Sequence, residues 1–287
     1  MKVSTLVCSE KPTLSFEVFP PKSDAAFDSV REATERIAAL RPDFMSVTYG
    51  AGGSGSEATL AVAENLLRTL RVPVVTHLTC VGASRRGIDE KLRAIRAAGV
   101  QNIMALRGDL PQGATLEGSE LPHAEDLIAY LRSKGDFSIG AACYPEVHPE
   151  SKSQREDLYY LRRKVEAGCD YLVTQMFFDN NIFYNFLYKA REAGITVPIL
   201  PGIMPITRAK QIGRAVQLSG TNVPDRFRQI VDAFGADPAA MEQAGVAYAT
   251  AQIVDLLANG VRHIHVYSMN QPRVAAAIRQ NVLELLK

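Results

Sequence analysis

Short apolar runs alternate with amphipathic segments through all 287 residues without a break in composition, and this predicts a single-domain α/β fold, a (β/α)8 TIM barrel over residues 1–287. A chain of this length divides into two average domains, but barrels of about 250 residues count as one. The chain entry into the first turn argues the same way. An open doubly wound sheet wants a glycine-rich phosphate turn after its first strand. Here that turn reads Glu17-Val18-Phe19-Pro20-Pro21, and the two prolines offer no backbone N–H to an anion.

The strands follow from apolar, β-branched or aromatic runs at 13–19, 43–49, 72–80, 102–109, 138–144, 170–178, 197–204 and 263–269. Helical periodicity fills the gaps at 24–40, 56–70, 87–98, 123–134, 152–168, 181–193 and 207–218, followed by a longer excursion over 224–259 and a last helix over 273–286. Asp237-Pro238 reads as an N-cap followed by proline at the first helical position. Gly99, Gly168, Gly194 and Gly260 each stand just before a strand, where a helix ends in the left-handed conformation that glycine adopts without strain.

Composition excludes several classes. Apolar residues make up 47% and charged residues 22%, which is ordinary for a globular chain and unlike a disordered one. The formal net charge of +1 gives no electrostatic footprint for nucleic acid or an anionic membrane surface. No run of 18 apolar residues exists to span a bilayer, and the N-terminal segment lacks the apolar centre of a signal peptide, so a cytoplasmic location is expected. Cys8, Cys80, Cys143 and Cys169 are far apart, form no CxxC pair and read as buried reduced thiols, with no metal site expected.

Strands of a parallel barrel are buried on both faces and should be uniformly apolar. In this chain one register turns polar toward the strand C-termini: Ser15 and Glu17, Ser46 and Thr48, His77 and Thr79, Arg107 and Asp109, Tyr144, Gln175, and His265 with Tyr267. On this fold that end carries the active site. Glu17, set among Phe16, Val18 and Phe19, is expected to be desolvated and therefore protonated near neutrality, as a general acid requires. Pairing with an internal arginine or lysine is the alternative. The glycine-rich run from Tyr49 to Ser56 reads as a connector or as a backbone anion site. The loop Tyr144-Pro145-Glu146-Val147-His148-Pro149-Glu150 is rigid and polar, and Lys152, Arg155, Arg162, Arg163 and Lys164 behind it form either a solvated helix face or a phosphate-binding set.

On these residues the chain resembles the methylenetetrahydrofolate reductase family. The matching motifs run in order: Phe16-Glu17-Val18-Phe19-Pro20-Pro21, Ser46-Val47-Thr48-Tyr49-Gly50-Ala51, His77-Leu78-Thr79-Cys80 and Ala105-Leu106-Arg107-Gly108-Asp109. The Tyr144–Glu150 loop, Thr174-Gln175-Met176-Phe177-Phe178, Pro201-Gly202-Ile203 and His265-Val266-Tyr267-Ser268-Met269-Asn270 complete the set. The resemblance implies a cytoplasmic, homo-oligomeric flavoprotein of one-carbon metabolism that serves methionine biosynthesis. It would pass hydride from NAD(P)H through FAD to 5,10-methylenetetrahydrofolate, giving 5-methyltetrahydrofolate. It implies Glu17 as the acid for N10 and Asp109 as a pterin-binding carboxylate that stabilises the iminium cation. Gln175 and Tyr267 are implied as further folate contacts. The implied flavin contacts are Thr48, Tyr49, Ala51, His77, Arg107, Gly108, Asp109, Ala124, Tyr144, His148, Asp157, Arg163 and Lys164.

The chain departs from the family pattern at His123, Tyr160, Ala209 and Gln271. Ala209 stands where an aromatic stacks on nicotinamide, so Ala209→Phe is expected to tighten the donor, with Arg208 and Lys210 as partial compensation. Gln271 stands where an arginine reaches folate, with Arg273 close by. The missing aromatic leaves open a reductase subunit fed electrons by a partner protein. A scaffold that has lost catalysis is disfavoured by Glu17, Asp109 and Gln175 standing together. A Schiff-base aldolase is disfavoured because no candidate strand contains a lysine.

Overall fold

The computed structural model describes residues 1–21, 23–49, 55–110, 113 and 115–287. Nine parallel strand segments follow the chain: β1 (Thr13–Val18), β2 (Phe44–Val47), β3 (Val74–Thr79), β4 (Asn102–Leu106), β5 (Ser138–Cys143), β6 (Tyr171–Thr174), β7 (Ile199–Leu200), β8 (Gly202–Ile203) and β9 (His263–Tyr267). Their order is β7-β6-β5-β4-β3-β2-β1-β9-β8. Segments β7 and β8 are the two halves of the seventh expected strand, interrupted at Pro201, which has no N–H to donate. The first half pairs with β6 and the second with β9, so the interrupted strand joins the two ends of the sheet and closes the barrel. The Pro201 carbonyl still takes part, accepting from the His265 N–H at 3.0 Å.

Around the barrel lie α2 (Phe27–Ala38), α3 (Gly55–Glu64), α4 (Arg85–Ala97), α5 (Ala124–Lys134), α6 (Gln154–Glu166), α7 (Asn180–Glu192), α8 (Lys210–Ser219) and α11 (Pro272–Val282). The excursion resolves into α9 (Asp225–Phe234) and the long α10 (Pro238–Ala258). Asp237 caps α10 as the sequence predicts, its Oδ1 accepting from Ala239 N at 2.9 Å. The glycines expected at helix ends all have positive φ, 80° at Gly99 and 112° at Gly168 among them. No helix among the described residues is long and apolar enough to cross a membrane.

One element went unforeseen. The N-terminal helix α1 (Val3–Val7) closes the bottom of the barrel. Val3 and Val7 pack with Phe44, Val75, Met104, Tyr171, Val173 and Leu200 in an apolar floor. The free N–H groups at its start are taken by Asn102 Oδ1 on Val3 N (2.7 Å) and Ser138 Oγ on Ser4 N (2.9 Å), both at the N-terminal ends of strands. A second, larger core lies between strands and helices, and a satellite of Phe178, Ile206, Ala215, Val223, Phe227 and Met241 supports α8 to α10. All four cysteines are free, and Cys8 is exposed rather than buried as expected.

Candidate active site

Inside the barrel the register runs from apolar floor to polar mouth. Phe44 stacks on the His265 ring, with centroids 5.9 Å apart and planes 11° from parallel, and above this boundary the interior side chains are polar. Ser46 Oγ lies 3.2 Å from Glu17 Oε2 and 3.2 Å from His265 Nε2. His265 Nδ1 lies 2.7 Å from Ser15 Oγ, whose own proton goes to the Ile264 carbonyl at 3.1 Å. His77 Nε2 is 3.3 Å from Glu17 Oε2 but off the hydrogen-bond axis, and it finds no other protein partner. The four strands β1, β2, β3 and β9 therefore converge on one carboxylate.

This arrangement corrects the expected charge state of Glu17. Burial pushes its carboxyl up, but the His265 and His77 imidazoles outweigh burial and hold it at about 2. The expected alternative, an internal arginine or lysine beside Glu17, is absent among its described partners; hydrogen bonding and charge interaction with the two imidazoles do the lowering instead. Two placements of one proton satisfy the distances. In the first, His265 is an imidazolium that donates through Nε2 to Ser46, while Ser46 donates to Glu17. In the second, Ser46 donates to a neutral His265 and Glu17 carries the proton, donating to Ser46. In both, His265 Nδ1–H donates to Ser15. The two placements differ by a shift of two protons through the Ser46 hydroxyl.

From the mouth a cavity of about 1060 Å³ runs outward over β3, β4 and β5 toward the first turns of α4, α5 and α6. That volume is at the top of the roughly 300–1,000 Å³ range of ligand pockets and suits a dinucleotide. Its inner wall carries Thr48, Tyr49 and His77; its centre carries Arg107, Gly108, Asp109 and Tyr144. Its outer wall carries Ala124, His148, Asp157 and Lys164. Of the remaining expected flavin contacts, Ala51 lies outside the described residues. Arg163 stands off the cavity, its guanidinium 2.9 Å from Glu125.

Two glycines are required by shape. Gly108 has φ 88°, and a Cβ there would come within 2.8 Å of Val81 Cγ1, so only glycine carries the chain across the cavity wall. A Cβ on Gly202 would meet the Tyr267 hydroxyl at 2.5 Å, so its absence lets that hydroxyl donate to the Thr174 carbonyl at 2.5 Å. Tyr267 is thereby locked upright beside Glu17. Gln175, at the end of β6, is partly buried next to Tyr144; burial raises the Tyr144 phenol, with the Gln175 amide pulling the other way. Arg107 is held by Glu150 through two bonds of 2.5 and 2.6 Å, which raise its pKa further. Burial lowers the Lys164 ammonium and raises Asp157 beside it.

The residues fit a flavin dinucleotide. A long cavity crosses from a redox-suited mouth to helix N-termini, where α4 has no acidic residue in its first turn to compete with a phosphate. Sequence reasoning missed the Val81–Ser84 turn and Lys91, which also line the cavity. The N-cap serine at Ser84, accepting from Gly87 N at 3.1 Å, was the available signal. It also left Ser15, Ser46 and His265 without roles, although their register parity with Glu17 was visible.

The departures take definite places. Tyr160 lines the outer cavity, and the His123 N–H donates to Asp126 Oδ2 at 2.9 Å in the first turn of α5. Arg273 turns to α10, pairing with Glu242 at 3.1 Å, rather than toward the mouth. Ala209 faces the end of α9: a Cβ built on Gly235 would lie 3.1 Å from the Ala209 methyl. Ala209 itself is partly exposed, between the exposed Arg208 and Lys210.

Comparison with known proteins places the chain in a family. The sequence profile of the family described as methylenetetrahydrofolate reductase matches residues 2–283. The chain is 37% identical over 287 residues to a maize protein (Zea mays) named methylenetetrahydrofolate reductase (NADH) 1, covering 95% of this chain and 48% of that one. It thus spans about half the length of the plant relatives it matches. It is 34% identical over 265 residues to the 5,10-methylenetetrahydrofolate reductase of Escherichia coli, covering 92% of this chain and 88% of that one. A Clostridium thermocellum protein, solved with two copies of 5-methyl-5,6,7,8-tetrahydrofolic acid, shares the fold, with TM-score 0.69 at 15% identity and 99% of both chains covered. The chain belongs to the methylenetetrahydrofolate reductase family.

Proposed function

We propose that this chain reduces 5,10-methylenetetrahydrofolate to 5-methyltetrahydrofolate with FAD as cofactor and NAD(P)H as donor. The observation that carries the reading is the Glu17–Ser46–His265 cluster, which borders a dinucleotide-sized cavity through His77, a lining residue 3.3 Å from Glu17 Oε2. The cyclic aminal of the substrate must open to a 5-iminium cation before it can accept hydride, and opening requires a proton at N10. Flavin held in this cavity would supply the hydride chemistry between donor and folate.

The remaining work falls to the protein. His265 holds a proton that reaches Glu17 Oε2 through the Ser46 hydroxyl, so Glu17 acts as an acid loaded by its neighbour and not by desolvation. Asp109, exposed at the mouth and close enough to act on Arg107 and Tyr144, places negative charge where the iminium develops. Gln175 and Tyr267 flank the opening and orient the pterin. Thr48, His77, Arg107, Gly108 and Tyr144 would hold the flavin ring end, with Ala124, His148, Asp157 and Lys164 toward the phosphates.

The test is spectroscopic. The purified protein, or the protein reconstituted with FAD, should be yellow, should bleach on anaerobic addition of NADH and should recover colour on addition of methylenetetrahydrofolate. A protein that gains no flavin absorbance with excess FAD refutes the proposal. If NADH fails at millimolar concentration while a chemical reductant supports methyl formation, electrons come from a partner protein.

A further inference from the structure

We propose that Glu146 is a positioning residue that clamps the outer wall of the cavity to the connection between α8 and α9. The inference rests on the flavin reading above. Glu146 lies in the loop between β5 and α6, yet both of its carboxylate oxygens are spent on a segment far along the chain. Oε1 accepts from the Thr221 hydroxyl at 2.5 Å, and Oε2 accepts from the Asn222 N–H at 2.8 Å. Thr221 is buried and its bond to Glu146 half-buried, whereas the Asn222 N–H bond lies at the surface.

The residue after the clamp shows what it holds in place. Val147 has φ 77°, the left-handed region in which a β-branched side chain is strained. The turn's own backbone bond, from Val147 N to the Tyr144 carbonyl, is long at 3.4 Å and gives little support. Beyond the strained residue the chain delivers His148 into the cavity, where its ring packs edge-on against Tyr144 at 4.5 Å and its N–H donates to Asp157 Oδ2 at 3.2 Å. A turn that is locally unfavourable and weakly self-bonded needs an external anchor. Glu146, adjacent to Val147 and tied by two charge-assisted bonds, is that anchor. The clamp also has reach, because α8 follows the seventh strand, two positions round the barrel from β5, and Glu146 thereby ties the β5–α6 loop across the intervening β6.

Four proteins test the clamp: wild type, Glu146→Gln, Glu146→Ala and Thr221→Val. Each is titrated with FAD by fluorescence, its His148 imidazole is titrated by NMR without flavin, and its Tm is recorded. Loss of both bonds in Glu146→Ala should weaken FAD by about tenfold or more, and loss of one in Thr221→Val by roughly threefold. Glu146→Gln, which keeps the shape and one acceptor, should fall between wild type and Glu146→Ala. The His148 titration should move in every variant. A folded Glu146→Ala protein with unchanged FAD affinity and an unmoved His148 titration overturns the inference, whatever its Tm, because a merely structural contact would change Tm alone. If Glu146→Ala fails to fold, Thr221→Val decides on the same two readouts. If wild type binds no FAD, the flavin reading fails, and the His148 titration still decides whether Glu146 holds the turn.

Discussion

At the scale of single residues, Glu17 carries the strongest prediction. Glu17→Gln preserves shape but cannot carry the proton, so the folate half-reaction should slow by about 100-fold to 10,000-fold while flavin reduction by NADH stays near normal, as stopped-flow absorbance will measure. Ser46→Ala should slow the same half-reaction while leaving Glu17 in place, since it removes the hydroxyl through which the proton passes. Asp109→Asn should raise the flavin midpoint potential, because a nearby negative charge disfavours the anionic reduced ring; a potential that stays or falls contradicts that role. The positions of these residues were legible in the sequence, since polar side chains in a register that should be apolar are conspicuous. Their charge state was not. The state of Glu17 depends on Ser46, His77 and His265, which β2, β3 and β9 bring to it, and no local pattern reports that convergence.

At the scale of elements, helices and strands were legible because periodicity is a local property. The split of the seventh strand was hidden, since Pro201 interrupts pairing only when neighbours on both sides are known. The α1 plug was hidden too: five residues are too few for a periodic signal, and the helix is held by Asn102 and Ser138 on distant strands. The loop after β8 is fixed by similar long-range contacts. A Cβ on Gly245 of α10 would lie 1.7 Å from the Ile206 carbonyl oxygen, so the helix and the loop touch backbone to backbone. Gly245→Ala should therefore destabilise the protein by about 1–3 kcal/mol or more and raise the apparent constant for NADH, read from urea melts and flavin-reduction kinetics. Ala209→Phe, at a partly exposed position beside α9, should lower the apparent constant for NADH more than that for folate, as flavin-reduction kinetics will measure. A variant with an unchanged constant for NADH would show that Arg208 and Lys210 already compensate for the missing aromatic.

At the scale of the whole molecule, the same buried groups that build the site set its response to acid. Burial lowers His148 and His263, so the unfolded chain takes up protons first as pH drops through about 6.5, and stability begins to fall there. The carboxylates act over a lower range. Glu17 is held at about 2 against an ordinary 4.5, and Glu150 is lowered by Arg107, so their contributions are fully present above about pH 4.5 and disappear as pH falls toward 2. For Glu17 alone the loss is on the order of 3 kcal/mol. Asp157, raised by burial, works in the opposite direction and softens the decline. The expected profile of unfolding free energy against pH is a shallow slope below about 6.5 and a steep one below about 4.5. In Glu17→Gln the steep part should shrink, because the glutamine has no proton to gain, whereas the shallow part should remain with His148 and His263. Thermal or urea melts across this range would read both slopes. A variant profile parallel to wild type below pH 4.5 would mean that the histidines do not hold the Glu17 carboxylate ionised, and the loading of the acid through Ser46 would lose its physical basis.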